Sequence, residues 1–289
     1  MRTVKVVFLS ALVLLLLSYV TAVGAQTDST PYLLPILQDG ETVEDAFLTT
    51  SDAHLYAFQG TEGDVVSISL RQAEANTSLD PYLILLGEAG AVHAYNDDSE
   101  SDKDPSLAAA IVNYELPVTG TYFVVATTFT GSFSFSTEDS ADGPYGYVLS
   151  ASGFTLPAGA DPESFLYSGG SLEMDSTNTL YSNSVEPVYY VDFVGEAGQI
   201  VDIRTVADSV TDTVLWLFAP NGLRIAANDD SNGTAAELLG VELPEDGKYM
   251  IFATGYGFVG AADGSYTQEG TFDISLTLAG GSTSTTPGK

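Results

Sequence analysis

Two short acidic stretches of the chain have residue types that suit the binding of a cation. Residues 96–99 read Asn-Asp-Asp-Ser, and residues 228–231 repeat this sequence 132 positions later. Carboxylate and amide oxygens are the hard ligands that Ca²⁺ prefers, and neither stretch offers the histidine or cysteine that zinc or copper would favour. The residue types therefore predict a bound Ca²⁺ in each stretch.

The spacing of the second stretch matches only part of a known calcium loop. Asn228, Asp230 and Asn232 alternate and are followed by Gly233, as in the first half of an EF-hand loop. Leu239, however, stands where that loop needs its final glutamate, so we expect an irregular oxygen-ligand site. The alternative is that these residues form Asx-turns, in which the side chains accept hydrogen bonds from the backbone of their own loop.

An aspartate that precedes a strand is predicted to complete each site. The apolar runs on either side of residues 87–90 should form a hairpin, in which residues at equal distances from the turn lie opposite each other. This counting places Asp80 opposite Asp97, and the same counting around the second turn places Asp212 opposite Asp229. The predicted metal ligands are Asp80, Asn96, Asp97, Asp98, Asp212, Asn228, Asp229 and Asp230.

The two acidic stretches belong to a longer internal repeat. Residues 80–99 and 212–231 align without a gap and are identical at 9 of 20 positions. Two further blocks recur in the same order: one around Gly63 and Gly198, and one of the form Leu-Pro-x-x-Gly-x-Tyr that begins at Leu116 and at Leu243. These blocks indicate the duplication of a unit of roughly 110 residues, which is the size of a domain.

The strand pattern predicts an all-β fold. Alternating, β-branched segments such as residues 65–70 and short apolar runs such as residues 82–86 are bounded by Gly, Pro, Asp or Asn. Short strands with frequent turns favour two tandem antiparallel β-sandwich domains that are jelly-roll-like. The Leu-Pro-x-x-Gly-x-Tyr block predicts a tyrosine corner, a structural device in which Tyr122 or Tyr249 donates a hydrogen bond to nearby backbone.

The chain is expected to begin with a secretory signal peptide. Arg2 and Lys5 precede an apolar run, and Val23-Gly24-Ala25 offers a cleavage sequence of small residues. A retained membrane anchor is the alternative, although the apolar run is short for a membrane span.

The rest of the chain divides into two domains and short connecting segments. After the signal peptide at 1–25 we expect a lead-in at 26–38, the first sandwich at 39–153, a linker at 154–169, the second sandwich at 170–280 and a flexible tail at 281–289. Because the matched blocks recur whole on either side of the linker, we expect the two repeats to be independent domains.

The charge balance excludes several classes of partner. The chain has 39 acidic and 8 basic residues, a formal net charge of −31 and no cysteine. Nucleic acid and anionic membrane surfaces attract cationic proteins, so neither is an expected partner. No stretch after the first apolar run is long and apolar enough to cross a bilayer, so no transmembrane segment is expected in the mature chain. Cations, basic partners or a solvent of high salt suit this charge better. The absence of cysteine excludes disulfides and thiolate metal sites.

Taken in order, the repeated blocks resemble the bacterial pre-peptidase C-terminal domain family. Both repeats carry its Asp-x-x-Leu-x-Leu strand, glycine turn, Asn-Asp-Asp run and Leu-Pro-x-x-Gly-x-Tyr strand entry. The residues that carry the resemblance are Asp80, Leu83, Leu85, Gly90, Asn96, Asp97, Asp98, Leu116, Gly120 and Tyr122, and Asp212, Leu215, Leu217, Gly222, Asn228, Asp229, Asp230, Leu243, Gly247 and Tyr249. The family implies a β-sandwich related to the collagen-binding modules of secreted collagenases. It implies a module without catalytic activity that usually follows a secreted peptidase, and a calcium site in some relatives. We expect no peptidase domain before the repeats, and in this the sequence would depart from the family.

Catalysis is not expected from the side chains available. His54 and His93 lie in strand-like segments of the first repeat, where Tyr189 and Ile225 stand at the matching positions of the second. Paired carboxylates can serve glycoside hydrolysis, but adjacent aspartates on an extended chain point to opposite faces, and both repeats carry them. A small secreted hydrolase is therefore the least favoured function.

The predicted function is that of a secreted accessory or adhesion module that binds Ca²⁺. Its partner would be an extracellular protein, a polysaccharide or a secreted peptidase, in the extracellular space, the periplasm or at the cell surface. One alternative is a carbohydrate- or protein-binding surface module without a metal, in which the aromatic residues within 129–135 and 256–258 form a binding rim. Another is a passive acidic surface protein adapted to salt. Trp216 lies in an apolar run, so we expect it in the core.

Overall fold

The computed structural model describes residues 34–73, 79–99, 108–129, 131, 143–161, 170–207, 212–230, 233–266 and 268–279. The predicted signal peptide, most of the lead-in, half of the linker and the predicted tail lie outside the described residues, as do Asn232, Phe133 and Phe135. Among the helices of the described ranges, none has the length and apolar character that a membrane crossing requires.

The regular secondary structure of the described residues is almost entirely β-strand. They are β1 (Glu41–Phe47), β2 (Ala53–Gly60), β3 (Val65–Gln72), β4 (Pro81–Gly87), β5 (Val92–Asn96), β6 (Ala108–Glu115), β7 (Gly120–Thr128), β8 (Tyr145–Ser152), β9 (Ser176–Ser182), β10 (Val188–Gly195), β11 (Ile200–Ala207), β12 (Thr213–Phe218), β13 (Arg224–Asn228), β14 (Glu237–Glu242), β15 (Gly247–Gly255) and β16 (Gly270–Leu278). A short 3₁₀ helix, Phe258–Ala262, lies between β15 and β16.

The strands form four antiparallel sheets. The first repeat contains the sheets β1-β8-β3-β6 and β2-β7-β4-β5, and the second contains β9-β16-β11-β14 and β10-β15-β12-β13. The second pair repeats the order of the first with every strand number raised by eight, so the duplication seen in the sequence extends to the topology. Eight strands connected in this order form a jelly roll, which confirms the predicted fold of two tandem β-sandwiches.

Each sandwich has a hydrophobic core between its own two sheets. Phe58 and Leu83 belong to the core of the first repeat, and Phe193 and Ile274 to the core of the second. The strands of the outer sheets bury one face only. Along β3, for example, buried residues alternate with exposed or half-buried ones, as expected for a sheet with one face toward water.

A third hydrophobic core lies between the two repeats. The sheets β2-β7-β4-β5 and β10-β15-β12-β13 face each other, and Ile84, Phe123, Tyr190, Trp216 and Phe252 are buried between them. Because these inner sheets are covered on both faces, every residue of β4 and of β12 is buried. The four sheets are therefore stacked as outer, inner, inner and outer, and the repeats share a core that the sequence analysis did not anticipate.

Backbone contacts at two hairpin turns bring the repeats together. The carbonyl of Gly90 accepts a hydrogen bond of 3.2 Å from Val188, and the carbonyl of Gly222 accepts one of 2.7 Å from Leu55. Both glycines have a positive φ, of 94° and 85°. A Cβ atom would lie 1.7 Å from the Val188 oxygen at Gly90, and 2.4 Å from the Leu55 oxygen at Gly222. Glycine is therefore needed at both turns for the repeats to approach this closely.

One buried cation crosses from the second repeat to the first. Arg224 is 5% exposed, and its guanidinium group donates hydrogen bonds to the carbonyls of Ser51 and Gly131. The same group lies over the ring of Trp216, 4.7 Å from its centre. Burial lowers the pKa of Arg224 to about 10. Val92 occupies the matching position of the first repeat, so this contact belongs to the second repeat alone.

Candidate functional site

The acidic residues of each repeat lie at the open end of one hairpin. In the first repeat Asp80 immediately precedes β4, Asn96 ends β5, and Asp97 and Asp98 follow it. The corresponding residues of the second repeat hold the same places around β12 and β13; they are Asp212, Asn228, Asp229 and Asp230. The structure thus brings each predicted set of four to one end of a hairpin.

The pairing within these hairpins differs from the predicted one by two residues. The first hairpin pairs Leu83 with Asn96, and its register shifts where Leu85 is followed by Leu86. The predicted pairing of Asp80 with Asp97 is therefore wrong. The bulge gives one strand an extra residue, which accounts for one of the two. The other arises because Leu86 pairs with Val92, which centres the turn on residue 89 and not between residues 88 and 89.

The strand pairing of the second hairpin differs from the predicted pairing in the same way. Leu215 pairs with Asn228, and the register shifts between Leu217 and Phe218. The predicted pairing of Asp212 with Asp229 is therefore wrong by the same two residues. The agreement between the repeats shows that the bulge is part of the duplicated unit.

The carboxylates of the first repeat are close enough to influence one another. Burial raises the pKa of Asp80 above its ordinary value, and the charges of Asp98 and Asp97 raise it further. Asp97 is half-buried, whereas Asp98 is exposed. Both effects on Asp80 disfavour its charged form, and a bound cation would reverse them.

The second repeat has the same arrangement of carboxylates. In addition, one of its carboxylate oxygens is buried without a hydrogen-bond partner among the described residues. Burial, followed by the charges of Asp230 and Asp229, raises the pKa of Asp212. Burial and the charge of Asp230 also raise the pKa of Asp229. The Oδ1 atom of Asp212 is buried and has no hydrogen-bond partner among the described residues. A buried carboxylate oxygen without a donor is the kind of atom that a cation can satisfy.

The two asparagines tie the hairpin ends to the neighbouring outer sheets. Asn96 accepts a hydrogen bond of 2.8 Å from the N–H of Ala110 in β6, and its amide group donates to the carbonyl of Asp98 at 3.1 Å. Asn228 accepts one of 3.0 Å from the N–H of Glu237 in β14. These acceptor bonds reach the backbone of a neighbouring strand, whereas the Asx-turn alternative expects bonds from the backbone of the same loop. The asparagine oxygens are thus already occupied. The carboxylates are therefore the stronger candidates for cation ligands.

The charge and the residue types at each hairpin end suit a cation, but the described side chains do not form a complete coordination shell. In the ranges that the structure describes, no group of three or more His, Cys, Asp or Glu side chains is close enough together to hold a metal ion. Ca²⁺ takes about 6–8 oxygen ligands, which include carbonyls and water. Further ligands from water or backbone would be needed to complete a site at either hairpin end.

An exposed aromatic residue lies beside each acidic group. The N–H of Phe129 donates a hydrogen bond of 2.7 Å to the carbonyl of Asp80, and the N–H of Tyr256 donates one of 2.8 Å to the carbonyl of Asp212. Phe129 is 42% exposed and Tyr256 is 45% exposed. Both aromatic segments are evident in the sequence, but their place next to the aspartates is not, because only the pairing of β7 with β4 and of β15 with β12 brings them together.

Other residues that the sequence analysis singled out have structural roles. The hydroxyl of Tyr122 donates to the carbonyl of Val118 at 2.7 Å, and that of Tyr249 donates to the carbonyl of Glu245 at 2.6 Å, which confirms both tyrosine corners. Trp216 is 1% exposed, as expected for a core residue.

The candidate rim is smaller than predicted, because one of its aromatic residues is buried. Phe258 is 4% exposed and packs edge-on against Trp216 with ring centres 5.6 Å apart.

The two histidines occupy different surroundings. The Nδ1 atom of His93 lies 3.2 Å from the hydroxyl of Tyr114, and burial lowers the pKa of His93. The Nδ1 atom of His54 lies 2.6 Å from the hydroxyl of Tyr147 and 3.2 Å from Oδ2 of Asp45.

Comparison with known proteins yields structural likenesses without a family assignment. No family model and no curated protein matches the sequence. Among solved structures, the pre-peptidase C-terminal domain of a collagenase from Bacillus anthracis is similar, with a TM-score of 0.30 and 15% identity over 38% of this chain and 94% of that one. A periplasmic inhibitor of g-type lysozyme from Aeromonas hydrophila has a TM-score of 0.28 and 15% identity, over 37% of this chain and 96% of that one. A protein from Eubacterium rectale described as secreted has a TM-score of 0.22 and 10% identity, over 78% of this chain and 70% of that one. At these TM-scores the likenesses assign no function.

Proposed function

We propose that this protein is a secreted, non-catalytic accessory or adhesion module of two pre-peptidase C-terminal-like domains that binds Ca²⁺ at its acidic hairpin ends. The order of the motifs along the sequence supports the family relationship, and the charged, apolar and small-residue pattern of residues 1–25 supports export. The observation that carries the calcium proposal is the presence of the same acidic arrangement at the same end of the same hairpin in both repeats.

The carboxylates are the proposed ligands. Asp212, Asp229 and Asp230 would supply oxygens in the second repeat, and the aspartates at positions 80, 97 and 98 would supply them in the first. A bound Ca²⁺ would neutralise the charges that raise the pKa of Asp212, and would satisfy its unpartnered Oδ1 atom. Asn96 and Asn228 are proposed to hold each loop against the outer sheet through their backbone hydrogen bonds.

The absence of catalysis is supported by what the two repeats share and what they do not. The acidic group recurs in both, whereas histidine occurs only in the first repeat. A motif that recurs in both halves of a duplicated fold is better explained as a structural or binding device than as one active site. The proposed partner is an extracellular protein, a polysaccharide or a secreted peptidase, which the aromatic residues beside the acidic groups would contact.

A binding module without a metal is the second candidate. The exposed rings of Phe129 and Tyr256 favour it, because aromatic residues on loops at matching places of two domains offer a repeated contact surface. The two candidates differ in one measurable property, since only the first requires the stability of the protein to respond to Ca²⁺.

Thermal unfolding with and without Ca²⁺ tests the proposal. Extracellular modules bind Ca²⁺ with a Kd of roughly 0.1–1 mM. At 100 times Kd, a site that is absent from the unfolded chain adds about 2.7 kcal/mol to the free energy of unfolding. Tm should therefore rise by several degrees over a sample with chelator. Sodium at matched ionic strength controls for screening of the net charge, and Mg²⁺ controls for other divalent cations.

Charge-matched variants identify the site. Asp229→Asn combined with Asp230→Asn should remove the calcium response of the second repeat while the protein still folds. Glu62→Gln combined with Glu196→Gln removes the same charge from exposed positions and should leave the response unchanged. If Ca²⁺ raises Tm no more than sodium does, the acidic groups bind no calcium and the second candidate is favoured.

A further inference from the structure

A cavity lies at the junction of the two repeats, at the turn of the β12–β13 hairpin and so at the opposite end from the acidic group. Its volume is about 430 Å³. Volumes of roughly 300–1,000 Å³ are typical of pockets that hold small organic molecules. Its apolar walls are formed by Pro35, Val43, Ala46, Leu48 and Leu223.

A chain of hydrogen bonds orients the one histidine that borders this cavity. His54 approaches both Asp45 and Tyr147 through Nδ1, and the hydroxyl of Tyr147 lies 2.6 Å from that of Tyr56. The ring of Phe47 packs edge-on against the imidazole with ring centres 5.2 Å apart. The hydrogen bond from His54 lowers the pKa of Asp45, so this carboxylate stays charged and holds the imidazole proton on Nδ1.

The second ring nitrogen of His54 remains available to a ligand. Among the described residues Nε2 has no hydrogen-bond partner, and the side chain keeps 12% exposure where it borders the cavity. In the neutral imidazole with its proton on Nδ1, Nε2 carries a lone pair and acts as an acceptor.

Asp45, Tyr56 and Asn221 also border the cavity, but their oxygens already have partners. The Asp45 carboxylate bonds to His54 and to the N–H of Ala46, the Tyr56 hydroxyl bonds to that of Tyr147, and the Asn221 side chain accepts from the N–H of Leu223. Nε2 of His54, an acceptor beside the apolar side chains, therefore suits a neutral molecule that has one donor and an apolar body.

The fold itself does not require a histidine at this place. Tyr189 stands at the matching position of the second repeat, at the second residue of β10, just as His54 is the second residue of β2. His54 pairs with Ala126 of β7, and Tyr189 pairs with Ala253 of β15, which is the corresponding strand of the second repeat. The strand therefore forms with either residue, so the pairing of the inner sheet leaves this position free to carry a histidine.

We propose that this cavity binds a small neutral alcohol or phenol. The hydroxyl of the ligand donates a hydrogen bond to Nε2 of His54, and its hydrocarbon part packs against Val43, Ala46 and Leu223. The site is separate from the acidic hairpin ends, and its occupation does not depend on calcium.

The test uses p-cresol as the probe and toluene as the same molecule without the hydroxyl. The p-cresol should shift the imidazole NMR signals of His54 saturably, and it should bind roughly tenfold more tightly than toluene, because only p-cresol makes the hydrogen bond. His93 is the internal control, since it lies in β5 against Tyr114, and its signals should not move. Equal affinity for the two probes, the absence of a saturable shift at His54, or equal shifts of both histidines would overturn the proposal.

The variant His54→Phe separates the hydrogen bond from the shape of the cavity. It keeps an aromatic ring and removes the lone pair, so p-cresol should lose its preference over toluene while toluene still binds. A preference that persists in a folded variant would show that His54 is not the acceptor. If the variant does not fold, the comparison of the two probes and the two histidines in the unmodified protein decides the question by itself.

Discussion

The two repeats are alike at their acidic hairpin ends and unlike at the faces that they turn toward each other. At the hairpin ends, Asn96 and Asn228 make the same bond to the outer sheet. On the inner faces, Ile84 of the first repeat corresponds to Trp216 of the second, and Val92 corresponds to Arg224.

This difference follows from what each region contacts. A hairpin end packs within its own sandwich, where its surroundings are the same in both copies. An inner face packs against the other copy, so a large side chain on one sheet needs a smaller one opposite it to keep the core densely packed. We therefore expect matching substitutions to change the stability equally at the two hairpin ends and unequally at the junction of the repeats.

Separation of the repeats should have the largest effect. Each repeat expressed alone would expose an inner sheet that carries several large apolar side chains, and each such side chain contributes about 1.5–3 kcal/mol when buried. We expect the separate repeats to aggregate or to reassociate on mixing into a complex that unfolds in one transition. Size-exclusion chromatography and thermal unfolding measure this. Two monomeric fragments with independent transitions would show that the shared core contributes little.

Removal of the buried guanidinium group of Arg224 should have the second-largest effect on stability. Arg224→Ala leaves the carbonyls of Ser51 and Gly131 without their donor and opens a cavity beside Trp216, so we expect a loss of roughly 3–5 kcal/mol in the free energy of unfolding. Denaturant unfolding followed by the fluorescence of Trp216 measures it. Arg71→Ala is the control, because Arg71 is exposed, and it should change stability little. Equal effects of the two substitutions would contradict the role of Arg224 at the junction.

The close approach of the turns can be separated from backbone strain. Gly90→Ala should destabilise the protein by roughly 2–3 kcal/mol, because the new Cβ collides with the carbonyl of Val188. Gly63 has a φ of 86° and open space around its Cβ position, so Gly63→Ala reports strain alone. It should cost about 1 kcal/mol. Chemical denaturation of both variants measures the difference, and similar losses would mean that the turn has room to move away.

The asparagines should have smaller and equal effects. Asn96→Ala and Asn228→Ala each leave a backbone N–H of the outer sheet without its acceptor, which costs roughly 1–2 kcal/mol. Asn96→Asp keeps the acceptor oxygen but adds a negative charge beside Asp97 and Asp98, so in calcium-free solution it should also destabilise the protein. Thermal unfolding of all three variants tests the likeness of the two hairpin ends. A loss of stability in the variants of only one repeat would contradict the likeness of the two hairpin ends.

The substitution Asp212→Asn should have the smallest effect on the free energy of unfolding. In calcium-free solution we expect it to stabilise the folded protein. A pKa raised in the folded state means that the folded protein binds a proton more readily than the unfolded chain. Stability should therefore increase as the pH falls through the raised pKa of Asp212, and the variant should remove this part of the pH dependence. Solvent screening keeps the effect small. Unfolding curves in chelator, with Glu196→Gln as the exposed control, measure it. A destabilised variant would mean that the carboxylate has a donor that the structure does not show.

The sequence determined the all-β class, the duplication, the tyrosine corners and the residues grouped at each hairpin end. These features depend on local patterns: alternation, turn residues and the repeat of whole blocks. The aspartates at positions 80 and 212 were placed at the correct hairpin ends for the same reason, although a bulge and a shifted turn centre, neither of which the sequence marks, changed their pairing.

What covers the second face of β4 and β12 depends on how the two repeats pack together. Their uninterrupted apolar sequences, Tyr82 to Leu86 and Val214 to Phe218, predict burial, but they do not say which surface covers them. The same is true of Arg224, which reads as an ordinary basic residue until the carbonyls of the first repeat lie against it, and of His54, whose cavity exists only where the two repeats meet. Contacts between segments far apart in the chain depend on how two finished surfaces fit together, and no local pattern of residue types records that fit.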